Sequence, residues 1–270
     1  MAEIYMIASA PPTITVNIGP RPLVSGACVL LYPAGGPMIP DVLTTTEPLP
    51  PLAVGMYLGR ESQKLFRVRW LSWLTVPGSL ACQTAWVETL EPMPVGRLEL
   101  IAWKSGFSLA WITLSDKVSL GRRMDTSGPT IEALVAARLH VAYAAGFVLP
   151  DNELALCCLL TQLALEQGFD LVLTTGGTGI ALRDTTPEAV LSVIKKRLPG
   201  FERAMTAVSL NKTPNAMISR AIVGTLGRTF IATLPGSTKA VAETLDAILP
   251  AIPHCLSKLQ GDSSDCSTAS

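Results

Sequence analysis

Hydrophobic and polar residues alternate in the first part of the chain and form longer apolar blocks in the second. Alternation at residues 13–18, 64–70 and 97–101 predicts β-strands with one buried face. Most of the 21 prolines and four of the five tryptophans precede residue 105, which indicates many turns in this part. We therefore predict that residues 1–104 form a small, mostly β domain with its tryptophans in the core.

An alternation of strands and helices begins near residue 107. Short apolar stretches that predict strands are separated by longer stretches that predict helices. The strands are expected at 109–114, 147–149, 171–175 and 229–234, and the helices from Thr126 or Ser127 to Gly146, from Asp151 to about Gly168, from Thr186, and after Lys239. This pattern predicts an α/β fold for residues 105–262, a three-layer domain with a mostly parallel sheet, and a disordered tail at 263–270.

The end of the strand at 171–175 carries the clearest candidate site. The strand runs into a Gly-Gly-Thr-Gly turn at 176–179, where glycines let the backbone approach a ligand and direct N–H groups at anionic oxygens. Asp184 follows the turn, and a carboxylate suits a hydrated Mg²⁺. Ligands bind beyond the carboxyl ends of parallel strands, where Asp151 and the segments 115–116 and 235–237 are also expected. Together these parts indicate a site for nucleotide phosphates.

Each part of this site also has a purely structural alternative. The turn matches neither the G-x-x-x-x-G-K-[ST] loop nor the dinucleotide fingerprint, and Gly-Gly-Thr-Gly after a strand is also a common tight connection. Asp151 and Asp184 each precede a predicted helix, where an aspartate commonly caps the first turn. Lys239 is equally explained as a surface lysine near a helix start.

Composition narrows the classes of partner. The formal net charge is zero, so the protein has no overall positive charge that would attract nucleic acid or an anionic membrane. Residues 23–40 are uncharged, but their prolines and glycines exclude a membrane-spanning helix. The six cysteines form no C-x-x-C pair and the chain has two histidines, so a structural zinc site is not expected. Scattered cysteines of this kind predict reduced, mostly buried thiols in a cytoplasmic protein.

Several motifs of the second part occur together in one known family. They are ITLSD at 112–116, DTSGP at 125–129, VLPD at 148–151, LTTGGTGIALRDTTPEA at 173–189, PGF at 199–201, SL at 209–210, SR at 219–220 and LPGS at 234–237. In order and spacing they resemble the molybdopterin adenylyltransferase family, which contains the bacterial MogA and MoaB proteins and the G domain of gephyrin. The resemblance covers residues 107–261, and the long motif at 173–189 is its most specific part.

The resemblance implies a fold, a reaction and a set of site residues. The fold is α/β, commonly assembled as a homotrimer or hexamer, and the reaction joins Mg-ATP and molybdopterin into adenylyl-molybdopterin with release of pyrophosphate. The molybdate-insertion enzyme is the implied protein partner. Two functional aspartates fall on Asp151 and Asp184, which would also hold Mg²⁺. The implied binding residues are Ser115, Asp116, Thr175, Gly176, Gly177, Thr178, Gly179, Ser209, Ser219, Arg220, Pro235, Gly236, Ser237 and Lys239, with Arg220 or Lys239 on the phosphates.

A second function stays open beside the enzyme. Thr238 stands where many adenylyltransferases have a second proline, and this loop resembles the MoaB branch of the family. A molybdopterin-binding carrier or scaffold without transferase activity is therefore the alternative, although the Arg183-Asp184 pair matches the active branch. The resemblance does not extend to residues 1–104, whose role stays open between recruiting an acceptor enzyme, capping the oligomer and binding substrate.

Overall fold

The chain divides into two compact units. The structure, a computed structural model, describes residues 11–19, 21–33, 43–60, 63–75 and 80–262. The first unit ends at Gly106 and the second begins at Phe107. The tail predicted at 263–270 lies outside the described residues.

The first unit is a sheet of seven strands that closes on itself. The strands are β1 (Thr13–Ile18), β2 (Cys28–Tyr32), β3 (Leu43–Thr45), β4 (Tyr57–Arg60), β5 (Gln63–Leu74), β6 (Cys82–Thr89) and β7 (Gly96–Trp103). They pair in the order β1-β3-β2-β6-β5-β4-β7. Their inward side chains, including Val16, Leu31 and Phe66, form an apolar core. The prediction of a mostly β first unit is confirmed.

The tryptophans of this unit do not lie in its core, so that expectation is wrong. Trp73 and Trp86 are exposed, at 65% and 40%, and Trp70 and Trp103 are partly buried. The core of the closed sheet is filled instead by aliphatic side chains and Phe66, because inward positions alternate with outward ones along each strand.

The second unit contains a six-stranded, mostly parallel sheet. Its strands are β8 (Phe107–Leu114), β9 (Val141–Leu149), β10 (Leu171–Thr175), β11 (Lys196–Arg197), β12 (Val223–Leu226) and β13 (Thr229–Leu234), in the order β11-β12-β13-β10-β8-β9. Strands β9, β8, β10 and β13 are parallel, whereas β12 and β11 are antiparallel additions at one edge. Every residue of β10 is buried, so the centre of the sheet is covered on both faces.

Helices cover the two faces of this sheet. They are α1 (Asp116–Ser119), α2 (Ser127–Ala136), α3 (Glu153–Thr161), α4 (Thr186–Val193), α5 (Pro199–Leu210), α6 (Thr238–Ile248) and α7 (Ile252–Leu259). Residues of α2, α5, α6 and α7 share one core with Leu109, Leu173 and Phe230 of the strands. Helices α3 and α4 pack against each other. The predicted α/β fold with a mostly parallel sheet is confirmed.

Two helices differ from the prediction. The helix expected to reach Gly146 ends at Ala136, and residues 141–149 form β9. A short apolar stretch does not distinguish a strand from a helix by its periodicity, which explains the error. The last helix is interrupted by a 3₁₀ turn at Leu249–Ala251, because Pro250 and Pro253 cannot donate a backbone hydrogen bond.

The indole of Trp111 joins β8 to its neighbours. A Cβ atom added to Gly146 of β9 would lie 2.0 Å from this ring, and one added to Gly128 of α2 would lie 2.3 Å from it. The ring nitrogen Nε1 donates to Glu132 of α2 at 3.1 Å. The two glycines are therefore required by close packing of the ring, which fixes the start of α2 against the sheet.

The cysteines are free, but the expectation that they are mostly buried is wrong. All five cysteines within the described residues are unpaired; Cys28 and Cys158 are exposed, and the other three are partly exposed. Cys28 begins β2 and Cys158 lies on the outer side of α3, so neither position points into a core.

No helix among the described residues combines the length and the apolar composition needed to cross a membrane.

Candidate active site

A cavity of about 270 Å³ lies at the carboxyl edge of the parallel strands. The segments that follow β8, β9, β10 and β13 all contribute to its walls, as expected for a sheet of this type. The predicted site residues on its walls are Ser115, Asp116, Asp151, Thr175, Gly176, Gly177, Asp184 and Gly236. The fold thus brings the glycine turn and both predicted aspartates to one cavity.

Other predicted site residues lie away from these walls. Thr178, Pro235 and Ser237 are chain neighbours of wall residues, and Gly179 is two positions from Gly177. The Ser237 hydroxyl caps α6 by accepting from the Ala240 N–H at 3.3 Å. Lys239 is exposed in the first turn of α6. The remaining members of the predicted set, Ser209, Ser219 and Arg220, are on or near α5, and the last two line a separate shallow groove.

The cavity also contains charged residues that were not predicted to belong to the site. Asp125 and the cations Lys117, Arg123 and Arg183 line its walls. The three cations are exposed and lie in the segments after β8 and β10, so their position beyond strand ends is the signal that would have found them. The cavity therefore presents both carboxylates and cations.

Asp125 holds the start of α2 against β8. One carboxylate oxygen accepts from the hydroxyl of Thr113 at 2.8 Å. The other oxygen accepts from the backbone N–H groups of Ser127 and Gly128, each at 3.1 Å. Asp125 is thus the residue that satisfies free N–H groups in the first turn of this helix, and its wall position depends on those bonds.

Asp151 is not the cap of the helix that follows it. Asn152 performs that role, because its side chain accepts from the Ala155 N–H at 2.8 Å. The backbone N–H of Asp151 donates instead to the carboxylate of Asp116 at 3.2 Å. Capping therefore does not account for an aspartate at position 151.

The charge of Asp151 is disfavoured by its surroundings. Partial burial raises the pKa of this carboxyl, and the nearby negative charges of Asp116 and Asp184 raise the pKa further. A hydrogen bond with the Asp116 backbone and the positive charge of Arg183 act in the opposite direction without cancelling the rise. A bound cation would relieve this repulsion between carboxylates.

Asp184 does not cap the following helix either. Its Oδ2 atom accepts from the Ala181 N–H at 2.9 Å, and α4 has no side-chain cap. The carboxylate lies close to Gly179, because a Cβ atom added there would be 2.7 Å from Oδ2. Capping is therefore excluded for this aspartate, and its orientation depends on the turn that precedes it.

The first two glycines of the turn have no room for side chains. Gly176 and Gly177 adopt φ values of 98° and 62°, which residues with a side chain rarely adopt. An added Cβ would lie 2.3 Å from the Leu114 carbonyl oxygen at Gly176, and 2.3 Å from the Thr186 hydroxyl at Gly177. The same position at Gly177 is 3.8 Å from the Asp151 Oδ1 atom, so this carboxylate lies beside the turn.

Two hydroxyl groups fix a second loop next to the glycine turn. Thr175 donates to the Pro235 carbonyl at 2.6 Å, and Ser127 donates to the Gly236 carbonyl at 3.1 Å. A Cβ atom added to Gly236 would lie 3.5 Å from the Gly176 Cα atom. The two loops therefore contact each other through backbone, and both line the cavity.

The carboxylates of Asp151 and Asp184 suit a magnesium ion that also binds a substrate better than they suit a metal ion held by protein side chains alone. Among the described residues, no group of three or more His, Cys, Asp and Glu side chains is arranged to hold a metal ion. Mg²⁺ typically takes one or two carboxylates and completes its shell with water and phosphate oxygens. Asp151 and Asp184 provide this smaller set on one cavity.

The fold and the cavity together define a class of domain, and comparison with known proteins identifies it. A family model described as "Probable molybdopterin binding domain" matches residues 110–254, which is more than half of the chain. The chain belongs to this family, and it is a protein of molybdenum cofactor biosynthesis. The predicted resemblance is thereby confirmed.

Curated relatives match a similar length of the chain. Molybdopterin adenylyltransferase of Helicobacter pylori J99 is 38% identical over 153 residues, which are 56% of this chain and 86% of the relative. Gephyrin of Dictyostelium discoideum is 42% identical over 154 residues, which are 54% of this chain. The chain spans only 21% of the length of that gephyrin.

Solved structures show the same similarity. MoaB of Thermus thermophilus, described as a molybdopterin biosynthesis enzyme, is 41% identical with a TM-score of 0.53, covering 58% of this chain and 98% of that one. The molybdopterin biosynthesis Mog protein of Mycobacterium ulcerans is 32% identical with a TM-score of 0.54, covering 57% and 99%. The fold of the second unit is therefore that of MoaB and Mog.

Proposed function

We propose that this protein adenylylates molybdopterin, using Mg-ATP and releasing pyrophosphate. The observation that carries the proposal is the cavity in which Asp151 and Asp184 lie beside the Gly176-Gly177 backbone. Support also comes from relatives named molybdopterin adenylyltransferase, and from the family model, whose match at residues 110–254 includes most of the residues that form this cavity.

The reaction is an in-line transfer of an adenylyl group. An oxygen of the terminal phosphate of molybdopterin forms a bond to the α-phosphorus of ATP. The bond from that phosphorus to the bridging β-phosphate oxygen breaks, and its electron pair leaves with pyrophosphate. Such a transfer requires positioning and neutralisation of charge more than covalent participation by the protein.

The chain supplies these two requirements from different walls of the cavity. The Gly176 N–H donates to the Leu234 carbonyl at 3.4 Å, so the backbone N–H of Gly177 is the group of the turn that binds a phosphate oxygen, as glycine-rich turns do in other phosphate sites. Arg123 and Arg183 offset negative charge on the phosphates as it shifts during transfer. Asp151 and Asp184 would hold Mg²⁺, which when bound neutralises phosphate charge.

The test is release of pyrophosphate that depends on both ATP and molybdopterin. We expect Asp184→Asn to lower kcat by about 100-fold, roughly 3 kcal/mol of transition-state stabilisation, because the amide keeps the shape but loses the charge. Thermal unfolding of the variant should stay close to that of the wild type, since Asp184 is not a helix cap. Normal adenylylation by this variant would reject the role of Asp184, and no release by the wild type would reject the activity.

A carrier of molybdopterin is the second candidate. It is favoured by the Pro235–Lys239 loop, where Thr238 follows the MoaB pattern. A carrier would bind molybdopterin at this cavity without consuming ATP. Equilibrium binding measured beside pyrophosphate release separates the two functions.

The proposal extends to assembly and location. We expect a homotrimer or hexamer in the cytoplasm that passes its product to a molybdate-insertion enzyme, as the family resemblance implies. Sedimentation equilibrium of the full chain measures the assembly, and a monomer at micromolar concentration would contradict it.

A further inference from the structure

Arg220 binds both ends of the turn that carries Asp184. Its Nε atom donates to the Gly179 carbonyl at 2.8 Å, and its Nη2 atom donates to the Asp184 carbonyl at 2.5 Å. Its Nη1 atom donates to the carboxylate of Glu188 on α4. The planar guanidinium offers its N–H groups in a fixed fork, so one side chain joins three acceptors in a defined geometry.

The turn between these two carbonyls orients the Asp184 carboxylate. The Ala181 N–H donates to Asp184 Oδ2 at 2.9 Å, and the Asp184 N–H donates back to the Ala181 carbonyl at 2.8 Å. The direction of the carboxylate is therefore coupled to the backbone conformation of residues 179–184. A change in the separation of the two ends would move Ala181 and, with it, the acidic side chain.

Apolar packing does not hold this turn in place. Ile180 is 69% exposed, and Leu182 is exposed over its whole side chain. Apolar burial is the dominant favourable contribution to folding, and segments with few buried apolar contacts open most readily. Without that burial, the hydrogen bonds from Arg220 and within the turn are the interactions that define its conformation.

Arg220 lies outside the cavity that contains Asp184. It lines the shallow groove beside α5, and its backbone N–H donates to the Thr178 carbonyl at 3.1 Å. Burial acts to raise the pKa of Glu188, but the hydrogen bond from Arg220, a backbone hydrogen bond and the positive charge of Arg220 together outweigh it, and the pKa falls below its ordinary value. Glu188 is thus charged at neutral pH and keeps the guanidinium directed at the turn.

We propose that Arg220 is a positioning residue that holds residues 179–184 closed and thereby aims the Asp184 carboxylate into the cavity, without touching the substrates. This inference rests on the proposed function for its catalytic consequence. Its structural part, the closure of the turn by one side chain, stands independently of any reaction.

The experiment compares Arg220→Gln and Arg220→Lys with the control Arg203→Gln in the full chain. Arg203 lines the same groove, and no side-chain hydrogen bond of Arg203 is present in the described part of the chain. Hydrogen–deuterium exchange of peptides covering residues 179–185 is measured without substrates. Pyrophosphate release then gives kcat and the KM for ATP.

We expect Arg220→Gln to speed exchange at the turn by about tenfold or more, while peptides of β10 and β13 stay protected. Its kcat should fall by about 10- to 100-fold with less than about a threefold change in KM, because a misplaced catalytic group costs rate more than binding. Arg220→Lys should fall between the wild type and Arg220→Gln, since an ammonium lacks the planar fork. Arg203→Gln should match the wild type.

Three outcomes would overturn the proposal. Unchanged exchange at 179–185 in Arg220→Gln would show that the turn does not depend on this side chain. A raised KM with unchanged kcat would mean direct binding of phosphate. Loss of protection throughout the second unit in both Arg220 variants would mean general support of the fold. If the wild type shows no adenylylation, the proposed function fails, and the exchange measurement alone decides whether Arg220 closes the turn.

Discussion

Asp151 is the residue at which activity and stability are expected to oppose each other. Its pKa is raised in the folded protein by partial burial and by the charges of Asp116 and Asp184, so folding favours the protonated form. The stability that this group contributes is fully present below its ordinary pKa and is lost as the pH rises through the raised value. At neutral pH the ionised carboxylate therefore destabilises the fold.

We expect Asp151→Asn to raise thermal stability at pH 7 and to change it less at pH 3, where the wild-type group is protonated. The same variant should lower kcat by about 100-fold, because the charge that would help hold Mg²⁺ is gone. Thermal unfolding at the two pH values, beside pyrophosphate release, checks both parts. A variant less stable than the wild type at pH 7 would contradict the electrostatic argument.

Arg123 is a cavity residue whose role differs from that of the aspartates. It is exposed on the wall and has no side-chain partner among the described residues, so it is available for a phosphate. We expect Arg123→Gln to raise the KM for ATP by about three- to tenfold, and this effect should shrink at high salt because exposed charges are screened. Arg122→Gln is the matched control, since this neighbouring arginine does not line the cavity. Equal effects of the two changes would reject a specific contact.

At the scale of elements, the glycine turn requires glycine because neighbouring atoms occupy the positions that a Cβ atom would take. We expect Gly177→Ala to destabilise the protein by about 1–3 kcal/mol, because the added methyl meets the Thr186 hydroxyl and the φ of 62° disfavours a side chain. Urea denaturation measures this loss. Gly200→Ala is the control: nothing lies within 4 Å of its added Cβ, and it should be neutral or slightly stabilising. A Gly177→Ala variant as stable as the wild type would show that the turn adapts.

The elements also show what the sequence could and could not predict. Strands β1, β8 and β13 were predictable because their apolar patterns are local, and the cavity followed from the rule that parallel strands end together. The contact of Asp125 with Thr113 could not be predicted from the sequence, since it depends on how α2 packs against β8. The bonds of Arg220 to Gly179 and Asp184 span 41 and 36 positions, and no local pattern records them.

At the scale of the whole molecule, each unit has its own hydrophobic core. One core contains residues from Ile14 to Ala102, and another contains residues from Leu109 to Leu256. We expect a piece starting at residue 107 to unfold cooperatively and to release pyrophosphate at a rate within about threefold of the full chain, because a domain with its own core can fold alone. Circular dichroism melting and the adenylylation assay check this. A piece that folds but is inactive would assign the first unit a part in catalysis.

Because of the Trp111 ring, the residues at positions 111, 128 and 146 constrain one another during evolution. As long as the indole is present, neither Gly128 nor Gly146 has space for even a methyl group. Replacing the ring first would remove its apolar contacts with the core, against which it is partly buried, and this loss is itself destabilising. A series of single substitutions away from this arrangement therefore passes through a variant of lower stability. We expect Trp111, Gly128 and Gly146 to change rarely for this reason.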